Sequence, residues 1–470
     1  MSAAATDWVG RLLGLGRRVV SAPAKERLRR AYRVLPDSWR HTPEFRALAR
    51  ELRASEGWSA DRIAALQLER LRETVRRAEA HVPAHRARFA AAGVGAHSLR
   101  SLDDLARFPF LHKDDLRAPG ADFLARDLAP ERLERVASGG TTGVPVTFHH
   151  VAGEHQDVTR AFQLALWGRV GFAYGARVLD LTASFRAPYG YADPRLLRVA
   201  IPWLHAAGAA EWLDEVRRFR PAFVLGLPST VAALAQVLED TGASLRVRGV
   251  VVGSEVLHPW QRERIGAALG CRVLAWYGMS EGAGYAAGCE RSDAYHFHPL
   301  AGVMELVDDA GRPVTEPGAE GEIVLTGFFT RATPFIRFRT GDRGVWGGAG
   351  CPECGRAHPV LRAIHGRTQE FLVAADGRRV PHSALNVHAA VFGGIHGYQL
   401  AQARPGEVEL RWVGAPGSGD DACAELLVRL ERQLGAGFRL AARRVEEIPR
   451  TARGKHVFVV RGFGEQERAG

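Results

Sequence analysis

Two stretches of this chain hold residue types at spacings that could do chemistry. Ser138-Gly139-Gly140-Thr141-Thr142-Gly143-Val144-Pro145 sets three glycines and three hydroxyls between apolar Val136 and Val146. Glycines let backbone N–H groups turn into a concavity, and hydroxyls add donors, a combination that suits phosphate oxygens. No Lys-Ser or Lys-Thr follows and no G-x-G-x-x-G spacing is present, so this is neither a Walker loop nor a dinucleotide fingerprint. Any cation on the phosphates must come from elsewhere, and a plain hairpin turn is the alternative. The second stretch is Cys351-Pro352-Glu353-Cys354, with Cys289 and His296 upstream at C-x6-H spacing. Three thiolates and one imidazole form the ligand set of a closed structural Zn²⁺ site. A redox pair or a reduced, metal-free knuckle is the alternative, and His298 or His358 could replace His296. Cys271 and Cys423 read as core residues.

Lysine usage narrows the search for the missing cation. Of 63 basic residues only Lys25, Lys113 and Lys455 are lysines. Where any positive charge would serve, this chain uses arginine. A retained lysine points to a place that wants a compact ammonium rather than a planar fork. Lys455 sits in Pro449-Arg450-Thr451-Ala452-Arg453-Gly454-Lys455, where Gly454 permits close approach. Lys113 suggests only a cap or an ion pair.

The elements that must position these residues follow from length and pattern. At 470 residues the chain suggests two or three domains. Its 24% charged content is that of an ordinary folded protein and argues against disorder throughout. The net charge of +11 is uneven: residues 1–40 carry nine basic and three acidic side chains, and the rest is nearly balanced. A solvated amphipathic arm explains that best, with peripheral membrane contact the most it could add, and nucleic acid is not an expected partner. No run of 18 apolar residues exists and no signal peptide is expected, since Arg17 and Arg18 soon follow Leu12, Leu13 and Leu15. A cytoplasmic location with reduced or metal-bound cysteines is the expectation. Residues 57–95 show helical spacing, and Pro109 precedes what looks like a helix start. Apolar runs at 178–181, 222–225, 249–252 and 273–276 alternate with amphipathic stretches at 154–169, 229–241 and 259–269. That alternation predicts a mostly parallel, doubly wound α/β sheet. Strands at 303–307, 321–326 and 335–339 add an antiparallel or barrel-like part. The last hundred residues predict a small α+β unit, with strands at 371–374, 408–413 and 438–445 and a helix at 421–434.

Read together, six motifs resemble the adenylate-forming enzymes, the superfamily of acyl-CoA synthetases, adenylation domains and luciferases. They are the 138–145 loop, Gly253-Ser254-Glu255, Tyr277-Gly278-Met279-Ser280-Glu281, Arg339-Thr340-Gly341-Asp342, Gly366-Arg367 and the 449–455 stretch, in that order. His81-Val82-Pro83, Pro109–Leu116 and Pro334-Phe335-Ile336-Arg337-Phe338-Arg339 resemble the phenylacetate-CoA ligase-like branch, with its capsular-polysaccharide and coenzyme F390 synthetase-like relatives. The likeness covers about 60–465. It implies a basic helical arm at 1–55, a large domain at 56–366 and a small mobile C-terminal α+β domain at 367–470.

The resemblance implies ATP-dependent activation of a carboxylic acid, aryl or another organic acid, as acyl-AMP, followed by transfer to coenzyme A. The alternatives are an amide ligase with an amine acceptor, an adenylyltransferase that uses no coenzyme A, and a non-catalytic nucleotide-binding scaffold in polysaccharide assembly. It assigns Lys455, Glu281 and Ser280 to catalysis. Lys455 meets the α-phosphate and the acid, and Glu281 holds Mg²⁺. Ser138, Gly139, Gly140, Thr141, Thr142 and Gly143 take phosphates, while Gly253, Ser254, Glu255, Tyr277, Gly278 and Met279 border the adenine or acyl group. Asp342 accepts the ribose hydroxyls with Arg367 beside it. Comparable Cys/His sets in the branch favour zinc at Cys289, His296, Cys351 and Cys354, and a homodimer is possible. Two departures stand out: Gln369 occupies the usual charged pivot, and the loop opens Ser-Gly-Gly. The acyl pocket, expected near 188–191 and 226–229, is not readable by analogy.

Overall fold

The computed structural model describes residues 42–117, 122–137, 146–182, 187–204, 207–367, 371–382, 385, 394–415, 417–435, 437–450 and 456–462. The arm at 1–41, the loop at 138–145, Gln369 and the segment 451–455 with Lys455 lie outside the described residues.

Three helices open the described chain: α1 (Pro43–Ser55), α2 (Ala60–His81) and α3 (Pro83–Ala91). The single helical stretch expected over 57–95 is broken at Val82, which is extended at φ −117° and ψ 104°. Pro83 is the cause, because its ring disfavours a helical residue before it and removes a donor. Next come β1 (Leu133–Ala137) and β2 (Thr147–Val151), an antiparallel hairpin that brackets residues 138–145. Helix α4 (Glu154–Trp167) follows it.

The main sheet takes β3 (Val178–Thr182), β4 (Tyr189–Asp193), β5 (Leu196–Ala200), β6 (Phe223–Gly226), β7 (Gly249–Gly253) and β8 (Val273–Gly278), then β9 (Tyr285–Gly288), β10 (Tyr295–Phe297), β11 (Gly302–Val307), β12 (Glu320–Gly327), β13 (Phe338–Gly348) and β14 (Val360–Arg367). Its spatial order is β11-β12-β13-β14-β10-β9-β8-β7-β6-β3-β5-β4. Strands β5, β3, β6, β7 and β8 pair in parallel, as the alternating pattern predicts. Helices α5 (Leu213–Phe219), α6 (Pro228–Asp240) and α7 (Pro259–Leu269) join them. Val250 and Val252 of β7 pack with α5, α6 and α7, while Val251 packs with α1 and α4 on the other face. Burial on both faces is why these strands read as unbroken apolar runs. The antiparallel part expected at 301–345 exists as β11 to β14, a continuation of the same open sheet.

Two local expectations fail for one reason. No helix follows Pro109; Leu111 bridges Phe338 in parallel, its N–H donating to Arg337 O at 2.9 Å, and only a short 3-10 turn forms at Asp115–Arg117. The strand expected at 335–339 starts only at Phe338 because Arg337 is left-handed, with φ +47°. The buried Arg337 guanidinium ties these segments together. It donates to both Glu305 oxygens at 3.1 and 2.9 Å, and to Ala106 O and Phe108 O at 2.7 Å each.

The C-terminal residues build a separate four-stranded sheet, β19-β18-β17-β20. It contains β17 (Ile395–Arg404), β18 (Glu407–Gly414), β19 (Arg439–Arg444) and β20 (Val459–Arg461), covered by α8 (Ala424–Leu434) through Leu426, Leu430 and Leu434. The ten-residue β17 is the long element that the sequence reading did not contain. A small hairpin of β15 (Phe371–Val373) and β16 (Arg379–Pro381) precedes it. Tyr398, Trp412 and Phe458 of this unit share one apolar cluster with the helices on β7's face. Among the described residues no helix is long and apolar enough to cross a membrane.

Candidate functional site

Parallel α/β sheets bind ligands at the carboxyl ends of their strands, where the chain turns away and backbone groups are free. Gly253 ends β7, and a Cβ there would lie 2.7 Å from Trp276 O, so only glycine fits beside β8. Ser254 then takes a left-handed φ of +66°, a strained conformation for serine. That turn delivers Glu255 to Ser229 at the start of α6: Ser229 N and Oγ donate to its carboxylate at 3.1 and 3.2 Å.

Strand β8 ends in Tyr277-Gly278, with Met279, Ser280 and Glu281 beyond it. Met279 packs against the neighbouring apolar core. Ser280 Oγ donates to Glu281 Oε2 at 3.1 Å, and Glu281 is buried. The Tyr277 hydroxyl donates to Asp342 Oδ2 at 2.8 Å, which joins two motifs 65 residues apart. Burial and the adjacent Asp342 carboxylate both push the Tyr277 phenol up, so it stays protonated and keeps donating.

The turn carrying Asp342 is held from several sides. Gly341 adopts φ +79° and donates to Glu322 Oε1 at 3.0 Å, while Arg339 Nε donates to Glu322 Oε2 at 2.8 Å. Asp342 N donates to Thr340 Oγ1 at 3.0 Å, and that hydroxyl donates to Ile323 O at 2.7 Å. Lys113 Nζ donates to Thr340 O at 2.9 Å, so this lysine caps a carbonyl of the turn. Asp342 stands opposite Arg367 in the β13–β14 ladder.

The hairpin that brackets residues 138–145 lies against the same place. His150 of β2 donates through Nε2 to Ser280 O at 2.7 Å, and its ring stacks on His155 at 3.7 Å. Burial holds both imidazoles below their ordinary range, His155 at about 4. The sequence reading missed His150, although two histidines directly after a glycine-rich hairpin were a signal.

The small unit reaches this region too. His456 N donates to Glu255 Oε1 at 2.7 Å, and Arg450 Nη1 donates to Ser229 Oγ at 3.0 Å. His258 before α7 packs edge-on to His382 and Phe458, with ring centroids 4.7 and 4.9 Å away. Burial, then His456, pushes His258 down to about 4; burial, with Arg450 opposing its charge, pushes His456 down to about 4. Burial, then His258 and His456, hold His382 well below 6.5. The His258 and His456 rings are neutral when packed and take protons when exposed, so the unpacked state binds more protons between pH 6.5 and about 4. Stability must then fall as pH drops through that window and level off below it, by about 1.4 kcal/mol per pH unit for each ring. A urea-midpoint profile should show this slope, and His258→Gln should flatten it; an unchanged slope in that variant would remove His258 from the account.

Cys289, His296, Cys351 and Cys354 form a second cluster, with one ligand atom from each all within 4.8 Å of one another. Cys289 follows β9, His296 lies on β10, and the other two occupy the β13–β14 connection. Cys354 Sγ lies 3.9 Å from His296 Nε2 and 4.0 Å from Nδ1. Burial pushes the His296 imidazole down to about 4, which keeps it neutral. Burial opposes ionisation of Cys289, but the Arg291 N–H and the Ser292 donors outweigh it and lower the thiol. Ring nitrogens of His298 face Ser55 Oγ and Leu300 N instead. In the β8–β9 ladder Gly278 pairs with Tyr285 and Trp276 with Ala287, so Cys289 lies at the far end of these strands from Glu281.

Comparison with known proteins places this geometry. The family model described as AMP-binding enzyme matches residues 198–330. A phenylacetate-coenzyme A ligase of Aromatoleum evansii is 32% identical over 343 residues, covering 69% of this chain and 74% of that one. The structure of a 2-hydroxyisobutyryl-CoA ligase in the postadenylation state superposes with a TM-score of 0.70 at 22% identity, covering 87% of this chain and 91% of that one. The same ligase in its thioesterification state scores 0.56 at 23% identity with the same coverage.

Proposed function

Because the chain belongs to the phenylacetate-coenzyme A ligase family of AMP-binding enzymes, we propose that its site joins an organic acid to coenzyme A at the expense of ATP. The observation that carries this reading is the Tyr277–Asp342 hydrogen bond, which sets an acceptor carboxylate beside buried Glu281 at the carboxyl end of the parallel sheet. An oxygen of the acid attacks the α-phosphorus of ATP, the bond to the bridging oxygen breaks, and pyrophosphate leaves. The thiol sulfur of coenzyme A then attacks the acyl carbon and AMP leaves.

Such a displacement receives little covalent help, so the residues position and stabilise charge. Asp342, fixed by the Tyr277 hydroxyl and its own turn, accepts the ribose hydroxyls, with Arg367 across the ladder. Gly253, Ser254 and Glu255 on one side and Tyr277, Gly278 and Met279 on the other wall the adenine and acyl group. Residues 138–143 meet the phosphates, and the His150–Ser280 bond ties their hairpin to the magnesium residue. Glu281, oriented by Ser280, would hold Mg²⁺, which neutralises charge on the departing pyrophosphate. Lys455 supplies the remaining positive charge.

The donor set at Cys289, His296, Cys351 and Cys354 fits zinc. Tetrahedral ligands bonded at about 2.0–2.3 Å lie within about 4 Å of one another, near the spacing present. With all four positions taken by protein and the cluster at the far end of β8 and β9, we assign it a structural role. Thiolate ligands of this kind suit a reducing, cytoplasmic setting.

The test is ATP–pyrophosphate exchange across a panel of aryl, fatty and amino acids, followed by thioester formation with coenzyme A. Exchange confined to one organic-acid class, with AMP release that requires coenzyme A, is expected. Exchange with turnover only on adding an amine would overturn the acceptor, and ATP binding without exchange for any acid would leave a scaffold.

A further inference from the structure

The ladder between β12 and β13 breaks at the residues that carry Asp342. Val324 pairs with Arg339 and Glu322 with Arg343, so Thr340, Gly341 and Asp342 stand opposite Ile323 alone. Extra residues in one strand bend it and re-aim its side chains, but they also leave backbone groups without ladder partners. Here side chains supply those partners. Thr340 Oγ1 donates to Ile323 O at 2.7 Å and accepts from Asp342 N at 3.0 Å, while Lys113 Nζ donates to Thr340 O at 2.9 Å. Gly341, left-handed at φ +79°, donates through its N–H to Glu322 Oε1 at 3.0 Å. The other Glu322 oxygen accepts from Arg339 Nε at 2.8 Å. One carboxylate on β12 therefore spans the bulge, gripping it at Arg339 before the turn and at Gly341 just ahead of Asp342.

We propose that Glu322 is a positioning residue for nucleotide binding: by holding the bulge at Gly341 it aims the Asp342 carboxylate at the ribose hydroxyls. The proposal rests on the ribose role given to Asp342 above.

Three physical points support it. A carboxylate accepting from a backbone N–H and a guanidinium forms charge-assisted bonds, roughly twice as strong as neutral ones. The Glu322 side chain is 14% exposed and that of Arg339 23%, so water screens the pair little. Second, the two groups that fix Asp342 do different work. The Tyr277 hydroxyl restrains the end of the side chain at Oδ2, whereas Glu322 holds the backbone one residue ahead and so sets where the side chain starts. Third, glycine at 341 adopts its left-handed conformation without strain and has many others open to it, so the turn needs an external hold to keep one direction. A carboxylate turned away from the ribose leaves the sugar hydroxyls without their acceptor, and that loss falls on affinity.

The experiment uses the full chain and compares ATP with 2′,3′-dideoxy-ATP, which lacks both ribose hydroxyls. Equilibrium binding, and the KM and kcat of pyrophosphate exchange with the cognate acid, are measured for wild type, Glu322→Ala, Glu322→Gln, Asp342→Ala and the Glu322→Ala/Asp342→Ala double variant. Wild type should prefer ATP by about 10–100-fold, the worth of hydrogen bonds to a charged group. Glu322→Ala should weaken ATP about tenfold and dideoxy-ATP less than about twofold, with kcat within about threefold, since ribose contacts are the same before and during the chemical step. Glu322→Gln keeps an acceptor oxygen for Gly341 N and should stay near wild type. The double variant should bind ATP no worse than Asp342→Ala, because one effect acts through the other. A folding defect alone would lower the active fraction and leave the preference for ATP as it was. Undiminished preference in Glu322→Ala, equal weakening of both nucleotides, losses that multiply in the double variant, or Glu322→Gln as weak as Glu322→Ala would overturn the proposal. Should Glu322→Ala fail to fold, Glu322→Asp, whose shorter side chain cannot span the bulge, should show the same loss of preference. A wild type without preference, or Asp342→Ala that keeps it, means that the ribose reading has failed; if only Glu322→Ala keeps it, the positioning role alone has failed.

Discussion

Lys455→Ala should slow adenylation by about 10²–10³-fold while ATP still binds within a few-fold, the penalty typical of removing one charge-stabilising donor from a preorganised site. As the acid attacks, negative charge builds on the α-phosphate and the departing pyrophosphate. Among the described side chains, Arg339 is spent on Glu322 and Lys113 Nζ donates to Thr340 O, so neither is free for that charge. Arg450, the arginine of the 449–455 motif that the structure describes, donates to Ser229. Lys455→Arg should recover little, because a planar fork cannot replace a compact ammonium at close range. Pyrophosphate exchange with the cognate acid, beside equilibrium ATP binding, separates the two effects. A loss of ATP affinity matching the loss of rate would make Lys455 a binding residue and remove its role in the chemical step.

Cys351→Ser should lose the metal and several kcal/mol of stability, lowering the melting temperature by roughly 10 °C. The wild-type chain should carry about one zinc. Without it, three sulfur ligands and one imidazole crowd together, buried or half-buried. Thiolates brought within a few ångströms repel unless a cation lies between them. The cluster also closes the β9–β10–β14 corner, where Cys289, Cys351 and Val360 form a small core of their own. His296→Ala should share the loss and His298→Ala should not. Adenylation by the protein that remains folded should persist, because the cluster lies at the opposite end of β8 and β9 from Glu281. Elemental analysis with calorimetry decides: full zinc retention by Cys351→Ser removes the proposed ligand set, and a zinc-free wild-type protein removes the metal.

The parallel strands were legible because burial on both faces writes a local, unbroken apolar signature into each of them. The motifs proposed to carry chemistry stand out for a similar reason, since each is a short contiguous run. The break at Val82 and the missing helix after Pro109 were less so. Pro83 was visible in the chain, but the Leu111–Phe338 bridge and the left-handed Arg337 depend on partners more than two hundred residues away.

By itself the sequence determined the alternation of strands and helices, the motifs proposed for phosphate, ribose, magnesium and zinc, and the rarity of lysine that sets Lys455 apart. Tertiary structure alone decided which of three histidines stands beside Cys354. It decided that Tyr277 steadies Asp342, that His150 ties the hairpin to Ser280, and that Glu255 faces Arg450 and His456. Those contacts join residues with no fixed separation along the chain. A hydrogen bond of 2.7–2.8 Å is set by the packing of whole elements, which no local pattern of side chains encodes.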